Sequence, residues 1–328
     1  MNFLFSVFLE QLSSENQISQ SHRFAKGTAQ NMVSGVRTWI FFCVYFGLQH
    51  SPATPCNIVP FLELMAITAT YAHLKHLLSS IKFYHQAKNM FFPEFDFDIV
   101  NTMQGIKRRQ SHTPHQALPL TPDIMRDMYS LLDMTKVQDL ALWCSFLVTF
   151  YCLFRKSNSV PKSTNSVDLK RTLLRRHILI DQNTVFVHCT FSKTIQFGQR
   201  DLVIPIPGNS DEALDPVRHL QALHQKVKSD GDAPAFSFGP GKFITHNSFT
   251  TRLKKLLTQA GYTPSLYSGH SFRRGGATLL YRLGASILQI QMSGDWASQC
   301  FARYLHVSDE DRGEIQSLVS DALSSGKY

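Results

Sequence analysis

The sequence predicts two domains, an all-α N-terminal bundle and a mixed α+β C-terminal domain. Three observations carry this. The 328 residues suffice for about two domains of roughly 100–200 residues each. Apolar residues recur with helical period throughout the first third, whereas strand-like runs occur only in the second half. Between the two lies a polar, proline-containing stretch without period, SHTPHQALPL. The predicted division is therefore a helical domain over residues 1–110, a linker over 111–120 and a mixed domain over 121–328.

In the first domain, Met32, Val36, Trp39, Cys43 and Phe46 define one apolar helix face. Pro52 and Pro55 interrupt the chain before a second apolar patch, Phe61 to Ala69. A third helix is expected from about Thr70 to Met90, with Leu74, Leu78, Ile81 and His85 on one side. Lys75, Lys82 and Asn89 fall on another side, as a row along a phosphate backbone would, although a solvated face would look the same. Asp96 or Asp98 is suited to start a short fourth helix ending near Lys107-Arg108-Arg109.

Thr121-Pro122-Asp123 opens the second domain with an N-cap residue followed by proline at the first helical position. A buried helix is predicted from about Val137 to Phe154. Strands are expected at His177–Ile180, Thr184–Phe191 and Asp201–Ile206, with Ser192–Arg200 as a hairpin connection between the last two. Helices follow near Ser248–Gln259, Arg273–Leu283, Ser286–Met292 and Ser298–Tyr304. A tail helix is expected over Gly313–Leu323, where Ile315, Leu318, Val319, Ala322 and Leu323 keep helical spacing.

The formal net charge of +9 favours a polyanionic partner such as nucleic acid or an anionic surface. The six cysteines form no CxxC pair and read as free thiols in a reducing compartment, not as a zinc site or a disulfide framework. The apolar N-terminus lacks an early Lys or Arg and is interrupted at Glu10, so it is not read as a signal peptide. The uncharged run Leu140–Phe154 is shorter than the ~20 residues a membrane-spanning helix needs. An intracellular location without membrane attachment is expected, and the nucleus if the source is eukaryotic.

The chemistry is suggested by residues in a fixed order. Gly269-His270-Ser271-Phe272-Arg273-Arg274-Gly275-Gly276 sets a histidine and an arginine three apart, on one face of a helix start. Gly294-Asp295-Trp296 and Tyr304-Leu305-His306 follow. Upstream, Arg155 comes directly after the buried helix and Lys193 falls in the expected hairpin turn. This order of Arg, Lys, HxxR, His or Trp, and Tyr resembles the tyrosine recombinase (phage-integrase-like) family. The segments FRKSN, SKTIQFGQR, GHSFRRGGA and GDWAS are most similar to recombinases of eukaryotic tyrosine-recombinase transposons and retrotransposons.

The resemblance implies a SAM-like helical core-binding domain that clamps DNA, followed by the catalytic domain. It implies Tyr304 as nucleophile, Arg155 and Arg273 as bidentate clamps on the non-bridging oxygens, Lys193 as general acid and His270 as a proton acceptor that also bonds the phosphate. Many family members carry a His or Trp nine residues before the tyrosine. Here that residue is Asp295, and Trp296 stands eight before. An acid would repel the phosphate, whereas an indole N–H donates to it, so Trp296 is favoured. Contacts to double-stranded DNA are assigned to Lys75, Lys82, Lys107, Arg108, Arg109, Arg252, Lys254 and Arg274. Neither metal nor cofactor is expected. The resemblance implies a monomer when free and a tetramer on synapsed DNA. A catalytically silent DNA-binding protein derived from a transposon and a type IB topoisomerase-like enzyme remain as alternatives.

Overall fold

Short polar side chains begin most of the helices, in the manner their backbone N–H groups require. Thr70 accepts from His73, Asp96 from Asp98 and Ile99, Thr121 from Ile124, and Ser286 from Gln289. The computed structural model describes residues 26–110, 116–165, 167–191, 202–296 and 298–305, with scattered positions between 313 and 325. The chain divides into two compact units, Met1–Pro114 and His115–Tyr328.

The described part of the first unit consists of helices α1 (Lys26–Tyr45), α2 (Pro55–Ala66), α3 (Tyr71–Ala87) and α4 (Phe97–Arg109). Helix α1 packs on α3 and α2 on α4. Their shared core includes Trp39, Cys43, Phe61, Leu74, Ile81 and Ile106. Pro55 does not merely interrupt the chain; it occupies the first turn of α2, where a missing N–H costs nothing. Phe46 lies outside the core, 53% exposed, because α1 ends at Tyr45 and the chain turns through Gly47 at φ 66°. His85 is fully buried, accepts the Ala53 N–H at Nε2 and faces the Ile81 carbonyl through Nδ1.

In the second unit, α5 (Pro122–Tyr129) leads to α6 (Val137–Tyr151). Every residue of α6 from Leu140 to Phe150 is buried, so this helix is the axis of the core. Burying each of its large apolar side chains stabilises the unit by about 1.5–3 kcal/mol. Trp143 is fully buried and donates its indole N–H to the Ala213 carbonyl at 2.7 Å. A one-turn helix, α7 (Lys156–Ser159), precedes an antiparallel sheet of β1 (Ile178–Asp181), β2 (Thr184–Cys189) and β3 (Leu202–Pro207), in that spatial order. Val185, Val187 and Cys189 point into the core and alternate with half-buried Thr184, Phe186 and His188, the period of two that identifies the strand. Strand β3 contains Pro205 and lies at the sheet edge, where a missing N–H breaks no ladder bond.

Helix α8 (Pro216–Lys226), absent from the expectation, packs on α6. Its start is signalled by Asp215 as N-cap and Pro216 in the first turn. A small ribbon of β4 (Ser237–Gly239) and β5 (Lys242–Phe243) also went unforeseen, being too short to show a period. Helices α9 (His246–Gln259), α10 (His270–Arg282) and α11 (Ile287–Ser293) follow. The segment before Tyr304 is a 3-10 turn, Gln299–Tyr304. Of the expected tail helix, only positions such as Gly313, Gln316 and Ser317 are described, and they are helical. Ile315, Leu318, Val319 and Ala322 lie outside the described residues.

The expected linker does not extend to residue 120. Leu120 is fully buried, its N–H bonds the Ser271 carbonyl, and Leu118 bonds Leu266, so 116–120 is part of the second unit's core. Gly275 makes this possible. A Cβ there would lie 1.9 Å from the Leu120 carbonyl oxygen, and one at Gly276 would lie 2.7 Å from the Phe150 carbonyl oxygen. The glycine pair brings α10 against both the 116–120 segment and the C-terminal end of α6.

Candidate active site

Helix α6 ends in a turn that exposes a carbonyl to the site. The Leu153 N–H bonds the Phe150 carbonyl and the Phe154 N–H bonds the Thr149 carbonyl, while Leu153 sits at φ 50°. This is a Schellman closure made without glycine. Helix α11 ends the same way. Asp295 bonds Met292, Trp296 bonds Gln291, and Asp295 sits at φ 50°. A leucine in this conformation is strained, and such strain concentrates where the surroundings impose a geometry.

The two turns converge on Arg273, one turn into α10. Its guanidinium donates through Nη1 to the Leu153 carbonyl and through Nη2 to the Gly294 carbonyl, the latter at 2.8 Å. It lies 3.9 Å from the Trp296 ring centre and 5.1 Å from that of Tyr304. The Trp296 and Tyr304 rings are themselves 5.3 Å apart. Arg273 is 4% exposed, and its Nε has no hydrogen-bond partner among the described residues. The same is true of Trp296 Nε1. Burial lowers the Arg273 pKa, the like charge of Arg155 adds to the effect, and Tyr304 opposes it, in part through a side-chain hydrogen bond.

Arg155 heads α7 and lines two adjoining clefts. One contains Arg273, Gly294 and Asp295. The other, of about 290 Å³, contains Lys156, His246, Lys254 and His270. His270 is exposed at the rim, yet its pKa is lowered from 6.5, first by loss of solvent on the cleft side and then by Arg155, Arg273 and Lys156. A neutral imidazole beside three cations is an available proton acceptor.

Arg155, His270, Arg273, Trp296 and Tyr304 thus come together from separated segments. Lys193 lies outside the described residues. The other basic candidates divide. Lys75, Lys107 and Arg108 are exposed on α3 and α4, Lys82 pairs with Glu94, and Arg109 pairs with Glu63. Arg252 is bound to Asp139, and Lys254 donates to the Pro264 and Tyr267 carbonyls. Arg274 is 7% exposed and is a buried brace instead of a surface cation. Lys156 and His246, not singled out in the sequence, line the second cleft. Lys156 directly follows Arg155 in FRKSN, which was a usable signal. His246 carried none.

No protein-family model and no curated protein matches the chain by sequence. Its fold is shared with several solved structures. The XerH site-specific recombinase, bound to palindromic difH substrate in a post-cleavage complex, aligns with a TM-score of 0.60 at 13% identity, over 85% of this chain and 75% of that one. The Tn1549 transposon integrase, in complex with transposon right end DNA, aligns at 0.57 and 15%, over 93% and 98%. A lambda integrase dimer bound to a COC' core site aligns at 0.55 and 15%, over 92% and 95%. The chain has the fold of tyrosine recombinases, helix-rich with small sheets.

Proposed function

We infer that the chain is a tyrosine recombinase, cutting and rejoining double-stranded DNA through a 3′-phosphotyrosine at Tyr304. The observation that carries the reading is the grouping of Arg273, Trp296 and Tyr304, with Arg155 and His270 on the adjoining walls. The Tyr304 oxygen attacks the phosphorus, the bond to the 5′ oxygen breaks, and the tyrosine proton passes to His270. Lys193 protonates the leaving 5′ oxygen. Arg155 and Arg273 hold the non-bridging oxygens, whose negative charge grows in the transition state. The Arg273 Nε–H and Trp296 Nε1–H, both unpartnered among the described residues, are further donors for those oxygens. The phosphotyrosine conserves the bond energy, so the 5′ hydroxyl of a second strand reverses the step without a nucleotide cofactor.

The DNA in the solved complexes that share this fold supports duplex DNA as the partner. GHSFRRGGA and GDWAS support a mobile element of the eukaryotic tyrosine-recombinase kind as the source, with the nucleus as the place of action. The apolar spacing of 313–323 supports assembly of copies on synapsed DNA.

The test is a nicked suicide duplex carrying candidate terminal sequences of the element. The protein should become covalently attached, with the adduct surviving denaturing gels, disappearing with protease and forming in EDTA. An adduct that requires a divalent metal, or that maps to another residue, overturns the reading.

A further inference from the structure

Adjacent residues on a helix point about 100° apart, so Arg273 and Arg274 leave α10 in different directions. Arg273 serves the tyrosine side chain. Arg274 runs to that tyrosine's backbone: its Nη1 donates to the Arg303 carbonyl at 3.1 Å and also to Gln116 Oε1. The Arg303 carbonyl belongs to the peptide plane that leads into Tyr304, so its direction fixes one end of the tyrosine's backbone. Gln116 stands at the start of the second unit, two residues after the boundary with the first.

Two further facts make this contact consequential. The six-residue 3-10 turn Gln299–Tyr304 has poor intrinsic hydrogen-bond geometry and leaves carbonyls without partners at its end. Its packing comes from a cluster of five buried apolar residues, Leu153, Ala277, Ile290, Trp296 and Phe301, separate from the main core. A guanidinium fixed in a buried helix is therefore a substantial part of what sets the position of Tyr304.

We propose that Arg274 is a positioning residue for the nucleophile, tying the Tyr304 backbone to Gln116, where the chain from the N-terminal unit joins the catalytic unit. A shift of the 116–120 segment is felt at the tyrosine through one side chain. The consequence for catalysis rests on the recombinase reading; the tether itself does not.

Two measurements on the full chain separate these. Backbone hydrogen exchange over 299–305 reads the tether, and single-turnover adduct formation on the nicked duplex, beside DNA affinity, reads its effect. Arg274→Met should raise exchange in that segment and slow cleavage on the order of 100-fold, the size expected when a reacting group is displaced by about 1 Å. DNA affinity should stay within about twofold, as nothing that touches DNA is removed. Arg274→Lys should recover part of the rate by keeping one donor. Gln116→Ala, a mild change at an exposed position, should raise exchange by a smaller factor and leave the fold intact. Unchanged exchange in both Arg274→Met and Gln116→Ala overturns the proposal, as does a loss of affinity in step with cleavage. Raised exchange in a protein whose wild type forms no adduct keeps the tether and overturns the recombinase reading instead.

Discussion

Two tryptophans of the second unit lie in different kinds of interior. Trp143, on α6, is fully buried in the large core and donates to the Ala213 carbonyl. Trp296 is 5% exposed in the small cluster beneath Tyr304, and its N–H has no partner among the described residues. In the N-terminal unit, Trp39 follows the first pattern, donating to the His50 carbonyl at 2.9 Å. A buried donor without an acceptor costs about 1–3 kcal/mol, and folding alone offers nothing in return. The indole N–H groups of Trp143 and Trp39 are satisfied, whereas that of Trp296 is held open beside the Tyr304 ring. The difference marks where the molecule is built for folding and where it is built for a ligand.

The sharpest way to break that comparison is Tyr304→Phe. Adduct formation should be abolished with DNA affinity retained, as read by denaturing gels beside a mobility shift. Arg273→Lys should keep the charge but lose the fork, lowering single-turnover cleavage on the order of 100- to 1,000-fold with affinity little changed. The tryptophans should then separate. Trp296→Phe should slow cleavage about tenfold, one decade for about 1.4 kcal/mol of lost transition-state contact, with little change in thermal unfolding. Trp143→Phe should leave cleavage unchanged and lower stability by about 1–3 kcal/mol, because the Ala213 carbonyl loses its donor. Equal behaviour of the two variants would erase the distinction.

The smallest effect concerns pH. The His270 pKa lies below 6.5, so the imidazole is neutral and able to accept a proton at neutral pH. The acid limb of the cleavage rate should therefore have its midpoint below 6.5, and His270→Gln should remove that limb. Stability has the same sign. The unfolded chain binds this proton more readily than the folded one, so stability is full above 6.5 and falls as pH drops toward the lower folded value.

Much of this was legible in the residues. Thr121 announced its helix because capping is local chemistry, the choice between Asp96 and Asp98 falls to Asp96, and Val185, Val187 and Cys189 fit β2 because a half-buried strand must alternate. The grouping of Arg155, His270, Arg273, Trp296 and Tyr304 was legible from motif order, since no single spacing carries it. What could not be read depends on long-range packing. Leu118 and Leu120 look like linker because two leucines between prolines show no period; only the groove beside Gly275 buries them. The assignments of Arg252, Lys254 and Arg274 to DNA failed to anticipate Asp139, the Pro264 and Tyr267 carbonyls, and the Arg303 carbonyl. A basic residue's sequence neighbours do not reveal which acceptor will reach it. Leu153 gave no hint of a left-handed turn, because nothing in a leucine favours one.

The acceptors that hold Arg273 have an electrical consequence. Arg252 faces Asp139, Arg126 faces Asp123 and Asp211, and Arg109 faces Glu63, so each of those cations is cancelled by a carboxylate monopole. The acceptors of Arg273 are the Leu153 and Gly294 carbonyls, at the negative ends of two helices. Dipoles orient a cation and lower the cost of burying it, but they subtract nothing from its net charge. At about 4 Å, a full unit charge attracts another by roughly 4 kcal/mol at an effective dielectric constant near 20. A carboxylate in the same fork would have fixed the side chain equally well while screening that field. Two peptide carbonyls leave the whole charge directed at whatever anion enters beside Tyr304.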